Sequence, residues 1–142
     1  MTQPNLDEQD LPIQGQVTFL YFRDMDAAEG FYAGVLGLRK TFDKGWVRFF
    51  QVTPVSFVGL VDEKYGHHRA GGEKSVMVSI ETPALEAWYA RMVQRGAEFQ
   101  THLDLEKSAS QMISAFLLRD PGGYSVEFFR FNDPSQSPTA QA

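Results

Sequence analysis

The chain has 142 residues, a formal net charge of −5 and a sequence pI near 5.1. A chain of this length buries a core of its own, as one domain or as two small fused halves. The acidic balance argues against nucleic-acid binding, which requires a clustered basic surface. The absence of cysteine excludes disulfides, thiolate metal ligands and cysteine nucleophiles.

The two ends of the chain differ in composition from the segment between them. Residues 1–12 are polar and acidic, with no basic and apolar leader pattern, and predict a flexible lead. Residues 132–142 are rich in Pro, Ser and Ala and predict a disordered tail. No apolar run approaches the roughly 20 residues of a membrane span, so we expect a soluble, cytoplasmic protein.

Residues 13–61 predict a β-α-β-β-β module. The first strand, 16–23, is apolar on both sides, and Asp24 follows it as a helix N-cap. The helix carries apolar residues at helical spacing and ends at Gly37. Three further strands are expected at 39–43, 46–52 and 56–61.

Residues 75–131 repeat this order after a polar, glycine-containing connecting loop at 62–74. A strand at 75–81 leads to Thr82 and Pro83, which predict the start of a second helix that ends at Gly96. Strands at 98–103, 112–118 and 125–131 complete the module. Because Phe31-Tyr32 and Trp88-Tyr89 occupy matching places in the two helices, the pattern indicates a duplicated fold.

Two sequence motifs occur within this duplicated pattern. The first is D-x6-FY-x3-LG, from Asp24 to Gly37, and the second is DPxGYxxE, from Asp120 to Glu127. Together they resemble the vicinal oxygen chelate superfamily, which includes glyoxalases, bleomycin resistance proteins and dioxygenases, over roughly residues 14–131. The resemblance implies an α+β fold in which two β-α-β-β-β modules form an eight-strand curled cup with helices outside. It also implies a homodimer.

The resemblance further implies four metal-ligand positions, two in each half, that are normally filled by His, Glu or Gln. In this chain they fall on Val17, Gly59, Ser75 and Glu127. Because only Glu127 is a ligand type, we expect no cofactor and a metal-free site. A divalent metal held by non-standard ligands, with His67 and His68 beside Glu127, is the alternative.

Glu127 is the candidate catalytic residue, because a carboxylate in so apolar a strand is a plausible general base, general acid or hydrogen-bond acceptor. The structural alternative is an ion pair with Arg48 or Arg130. Strand alternation places Arg48 beside two aromatic residues, where it either holds an anionic group or covers apolar surface with its stem. The expected ligand-binding residues are Val17, Phe19, Tyr21, Trp46, Arg48, Phe50, Ser75, Met77, Phe129, and the loop residues His67 and His68.

Three functions are consistent with these patterns. The first is a glyoxalase- or bleomycin-resistance-like protein, without metal, that binds a small and partly apolar molecule in the cup. The second is a lyase, isomerase or dioxygenase-type enzyme that uses Glu127 as a base or as a metal ligand. The third is an interaction protein whose cup is filled by its own side chains.

Overall fold

A computed structural model describes residues 11–141, so most of the predicted flexible lead lies outside the described residues. The first module contains a helix that begins as α-helix and continues as a π-helix over Gly30–Val35. Its elements are β1 (Gln16–Phe22), α1 (Met25–Glu29), β2 (Arg39–Asp43), β3 (Val47–Thr53) and β4 (Ser56–Asp62). The second module comprises β5 (Met77–Glu81), α2 (Leu85–Gln94), β6 (Phe99–Thr101), α3 (Leu105–Ser108), β7 (Ile113–Arg119) and β8 (Ser125–Phe131).

Each module forms one four-stranded mixed sheet. The strand order is β1-β4-β3-β2 in the first sheet and β5-β8-β7-β6 in the second. In both sheets the first strand of the module runs parallel to its last strand, and the remaining pairs are antiparallel. The identical order confirms the predicted α+β fold of two β-α-β-β-β modules.

The hydrophobic core lies between the sheets and the helices. Alternate residues of the strands point toward the helices and are almost completely buried, among them Leu20, Leu60, Phe116 and Phe128. One continuous cluster joins both modules, since these side chains pack with those of α1 and α2. We call the opposite face of each sheet the cup face. It carries Val17, Phe19, Phe49, Phe57 and Gly59 on the first sheet, and Ser79, Ile113, Ala115, Leu117 and Glu127 on the second.

A polar junction also joins the modules. Tyr32 Oη, from the first module, donates a 2.8 Å hydrogen bond to Asp120 Oδ2 in the turn before β8. Asp120 Oδ1 accepts from the backbone N–H groups of Gly122 and Tyr124, each at 2.8 Å. Tyr124 Oη accepts a 3.0 Å bond from the backbone N–H of Tyr21, at the open edge of β1. The Asp120–Gly123 turn of the second module is therefore hydrogen-bonded to the phenol of Tyr32 in the first module.

Several predicted boundaries differ from the structure. Ser75 precedes β5 and is exposed, and α2 begins at Leu85 although Thr82 Oγ1 does accept a bond from the N–H of Ala84. The short helix α3 lies between β6 and β7, where the sequence shows no helical period. The tail, expected to be disordered, contains two 3-10 turns, Pro134–Gln136 and Pro138–Gln141, and buried Ser137 donates to Glu81.

Within residues 11–141, no helix is long and apolar enough to cross a membrane. The cytoplasmic location stays a prediction.

Candidate functional site

Four residues form a row across the cup face of the second sheet. Strand register places Thr101 opposite Leu117, Leu117 opposite Glu127, and Glu127 opposite Ser79. Side chains that are directly opposite on neighbouring strands lie about 5 Å apart, so the row is continuous. It leads from an apolar wall on β7 to a carboxylate on β8.

Glu127 is partly buried, and within residues 11–141 the only hydrogen-bond partner of its carboxylate is the hydroxyl of Ser79. Ser79 Oγ donates a 2.8 Å bond to Glu127 Oε1, which leaves Oε2 as a free acceptor. Arg130 pairs instead with Glu86 at 2.8 Å. Since Arg48 also has other partners, neither arginine neutralises this carboxylate.

A cleft of about 910 Å³ adjoins this row. Ile113, Ala115 and Leu117 of β7 form its apolar wall, and α3 lies across it. The end of α3 is held in place by Ser114 Oγ, which is buried between Ser108 Oγ at 2.6 Å and Asn132 Oδ1 at 2.9 Å. A fixed, largely apolar wall beside a hydrogen-bond acceptor is an arrangement typical of small-molecule sites.

The cup face of the first sheet is aromatic. Phe49 contacts Phe19, Phe42 and Phe57, with ring centroids 5.7, 4.8 and 6.2 Å away. Phe19 and Phe42 remain 45% and 40% exposed. The sequence prediction missed Phe42, Phe49 and Phe57. Of these, only Phe57 could have been found, by alternation from Gly59 on the same strand.

The two modules carry different chemistry at equivalent places. Phe19 is paired with Gly59 across β1 and β4, as Ser79 is paired with Glu127 across β5 and β8. A Cβ atom on Gly59 would lie 2.6 Å from Phe19 Cδ1 and 3.0 Å from Val17 Cγ1. The first module therefore has an aromatic ring where the second has a carboxylate and a hydroxyl.

This difference between the two modules decides whether the divalent metal that the fold implies can be held on the cup face. Val17 and Gly59 supply no ligating atom, the Phe19 ring fills the space above Gly59, and Ser75 lies outside the strand. No group of three or more His, Asp or Glu side chains close enough to hold a metal occurs within residues 11–141. The residues present do not fit a divalent metal at this position.

The structure corrects the expected position of Arg48 and Phe50. Arg48 lies on the helix side, where Nη1 is 3.3 Å from Glu29 Oε1 of α1 and Nε is 3.7 Å from Asp43 Oδ1. Phe50 is fully buried and packs against Tyr32. Neither residue lines the cup, because β3 presents Phe49, not Phe50, to the cup face. Trp46 precedes β3 and is partly exposed.

The remaining predicted residues divide between the two cup faces. Tyr21 is on the first sheet and contacts His68 at a centroid distance of 5.3 Å, and His68 contacts His67 at 4.9 Å. The connecting loop therefore closes over the end of β1. Phe129 packs against Phe131 on the second sheet, and Met77 is exposed on β5.

The sequence profile described as Glyoxalase/Bleomycin resistance protein/Dioxygenase superfamily matches residues 14–128, most of the chain. The chain belongs to this superfamily. No curated protein matches its sequence.

Solved structures share the superfamily fold. A glyoxalase/bleomycin resistance protein/dioxygenase from Nocardioides superposes with a TM-score of 0.69 at 21% identity, covering 88% of this chain and 87% of that one. TioX from Micromonospora sp. ML1 gives 0.68 at 22% identity, with 82% and 98% covered. A lactoylglutathione lyase from Agrobacterium tumefaciens gives 0.65 at 25% identity, with 85% and 96% covered.

Proposed function

We propose that the chain binds a small, partly apolar molecule on the cup face of the second sheet, without a metal. The observation that carries this proposal is the register that sets Leu117 directly opposite Glu127. An apolar wall and a hydrogen-bond acceptor thus lie side by side. A carboxylate only accepts hydrogen bonds, so the ligand presents a hydroxyl or N–H group to Glu127 and packs its apolar part in the cleft.

A lyase or isomerase activity is the second candidate. Ser79 engages Oε1 of Glu127, while Oε2 has no hydrogen-bond partner within the described part of the chain and is available to take a proton. The 25% identity to a protein named lactoylglutathione lyase also supports it. An assay for lactoylglutathione formation or breakdown with wild type and Glu127→Gln tests this candidate. If Glu127 is the general base, its replacement by Gln should abolish turnover.

A homodimer is proposed for the aromatic cup face. Phe19 and Phe42 are exposed together with a packed cluster of rings, and burial of such a surface by a second copy is favourable by about 25 cal/mol per Å².

The third function considered, an interaction protein whose cup is filled by its own side chains, is disfavoured by the open cleft beside β7.

A solution titration tests the binding proposal. We choose 4-butylphenol as the probe, because it combines one hydroxyl with an apolar chain. In a two-dimensional amide NMR titration, we expect shifts at Ala115 and Leu117 and roughly fivefold weaker binding by Glu127→Gln, which loses the charge-assisted bond.

The matched control is Glu73→Gln, at an exposed position in the connecting loop. Equal binding by the two variants, or shifts confined to other strands, would overturn the proposal.

A further inference from the structure

The outer edge of β7 is covered by β6 over only part of its length. β6 ends at Thr101, which pairs with Leu117, whereas β7 extends back to Ile113. Within residues 11–141, no strand therefore lies beside residues 113–115 on that side. We call this uncovered stretch the β7 gap. The cleft of about 910 Å³ opens along it, since Ile113 and Ala115 both line the cleft.

Side-chain contacts draw the chain away from β7 after Thr101. The ring of His102 stacks on that of Phe99, with centroids 4.5 Å apart and 19° between the planes. His102 Nδ1 also lies 2.8 Å from Tyr89 Oη of α2, and α3 begins directly after its cap, Asp104. Because packed side chains hold the chain in this path, the β7 gap belongs to the folded state.

The backbone of Ala115 points into the β7 gap. The N–H of Arg119 donates to the carbonyl of Glu98 just before β6, whereas the carbonyl of Met112 accepts from the N–H of Asn132 just after β8. Successive residues of a strand direct their N–H and C=O groups to opposite edges, so those of Ala115 face the same side as those of Arg119. Neither group of Ala115 has a hydrogen-bond partner within the described part of the chain.

The side chains around the β7 gap select the residue that would pair with Ala115. A residue directly opposite Ala115 points to the same face of the sheet, between Ile113 and Leu117. Because Ala115 carries only a methyl group, a large apolar side chain fits between these two neighbours. The next residue on either side points to the opposite face of the sheet, where Ser114 Oγ contacts the end of α3.

The charges around the β7 gap favour a cationic partner. Three carboxylates line the cleft, on Glu86, Asp104 and Glu106, and Lys107 is the only lysine or arginine there. Asp104 and Glu106 have no ion-pair partner among the residues that the structure describes. Residues 1–10 of this chain carry three carboxylate side chains and no Lys or Arg, so the acidic cleft disfavours them as the occupant.

We propose that the β7 gap binds an extended peptide segment of a partner protein, with a large apolar residue opposite Ala115 and Lys or Arg on either side of it. The segment adds to β7 as the strand that β6 does not supply. Antiparallel pairing gives two backbone hydrogen bonds with Ala115, and residues 113–115 span about 10 Å of extended chain. This inference goes beyond the proposed small-molecule function, because the contacts are with the backbone of β7 and not with Glu127.

A capped tripeptide, acetyl-Lys-Leu-Lys N-methylamide, tests the backbone contacts. Hydrogen exchange followed by NMR should show a fast-exchanging Ala115 amide in the free protein and at least roughly fivefold slower exchange with saturating peptide. The amides of Ser114 and Phe116 face β8, should stay protected throughout, and serve as internal controls. The analogue with N-methylleucine keeps the charges and side chains but lacks the N–H that bonds to the Ala115 carbonyl. It should bind roughly fivefold more weakly.

Protein variants test the same contacts from the other side. Ala115→Pro removes the N–H that faces the β7 gap and leaves the bonds between β7 and β8, which alternate residues make, so peptide binding should weaken roughly fivefold. Glu106→Gln should weaken binding roughly twofold, whereas Glu73→Gln in the connecting loop should not. This second pair decides the matter if Ala115→Pro does not fold.

Four results would overturn the proposal. An Ala115 amide that is already protected in the free protein would assign the β7 gap to residues 1–10, or to a second copy if protection rises with protein concentration. Unchanged exchange of Ala115 at saturating peptide would show that no strand is added. Equal binding of the leucine and N-methylleucine peptides would exclude backbone pairing. Equal binding of acetyl-Glu-Leu-Glu N-methylamide would show that the cleft does not select a cationic partner.

Discussion

The ring of Phe19 lies directly over Gly59, in the place where a longer side chain on β4 would stand. A Cβ atom there would come within 2.6 Å of Phe19 Cδ1. We therefore expect Gly59→Ala to lower the free energy of unfolding by about 1–3 kcal/mol, because the ring must move and its contact with Phe49 is disturbed. Urea unfolding measures this change.

Gly71→Ala is the control, since nothing lies within 4 Å of its added Cβ. In a Phe19→Ala background, Gly59→Ala should cost much less, and an unchanged cost would show that the ring is not the obstacle.

Metal binding is the second prediction. Because Val17, Gly59 and Ser75 leave Glu127 as the one ligand type at the four positions, chelator-stripped protein should show no stoichiometric uptake of Zn, Ni, Mn or Fe(II). Isothermal calorimetry measures this directly. Tight uptake that disappears in Glu127→Ala would contradict the assignment and favour a metal-dependent enzyme.

The third prediction concerns pH. Burial raises the pKa of Asp120 above its usual value of 3.8, against the opposing effect of its hydrogen bonds with Tyr124, Tyr32 and Gly122. The folded state therefore binds a proton that the unfolded state has already released. This contribution to stability is complete below the unfolded-state pKa and is lost as the pH rises through the folded-state pKa.

Asp120→Asn removes this titration. Between pH 3 and 7 we expect the stability of wild type to fall relative to Asp120→Asn, as measured by urea unfolding at each pH. The other carboxylates cancel in this difference, and parallel curves for the two proteins would show that Asp120 has no shifted pKa.

The fourth prediction concerns the aromatic cup face. If a second copy covers it, wild type should elute as a dimer in size-exclusion chromatography with light scattering. Phe42→Lys should shift the equilibrium toward monomer, because a charge is buried without a partner. Met112→Lys, at an exposed residue before β7, is the control. A monomeric wild type at high concentration would refute the dimer.

The duplicated fold was predictable because its signals are local. Asp24 and Gly37 bound the first helix, and the Asp120–Gly123 turn bounds β8. The face presented by β3 was not predictable, since Phe49 and Phe50 are adjacent and equally apolar. Only their packing against Phe57 on one side and Tyr32 on the other decides which face each occupies.

The cleft was also beyond sequence reasoning. Residues 102–112 have no periodicity, and α3 is a single turn capped by Asp104 Oδ1, which accepts from the N–H of Lys107. The contact of His102 with Tyr89 joins a loop residue to α2, and it depends on the packing of Tyr89 against Phe99 of β6.

The bond from Tyr32 to Asp120 has a consequence for dividing the chain. The two modules share one topology, but the turn of the second relies on a phenol supplied by the first. Either half expressed alone would expose part of the shared core, and the second half would leave Asp120 Oδ2 without its donor. The two modules therefore depend on each other for a complete core and a fully hydrogen-bonded turn.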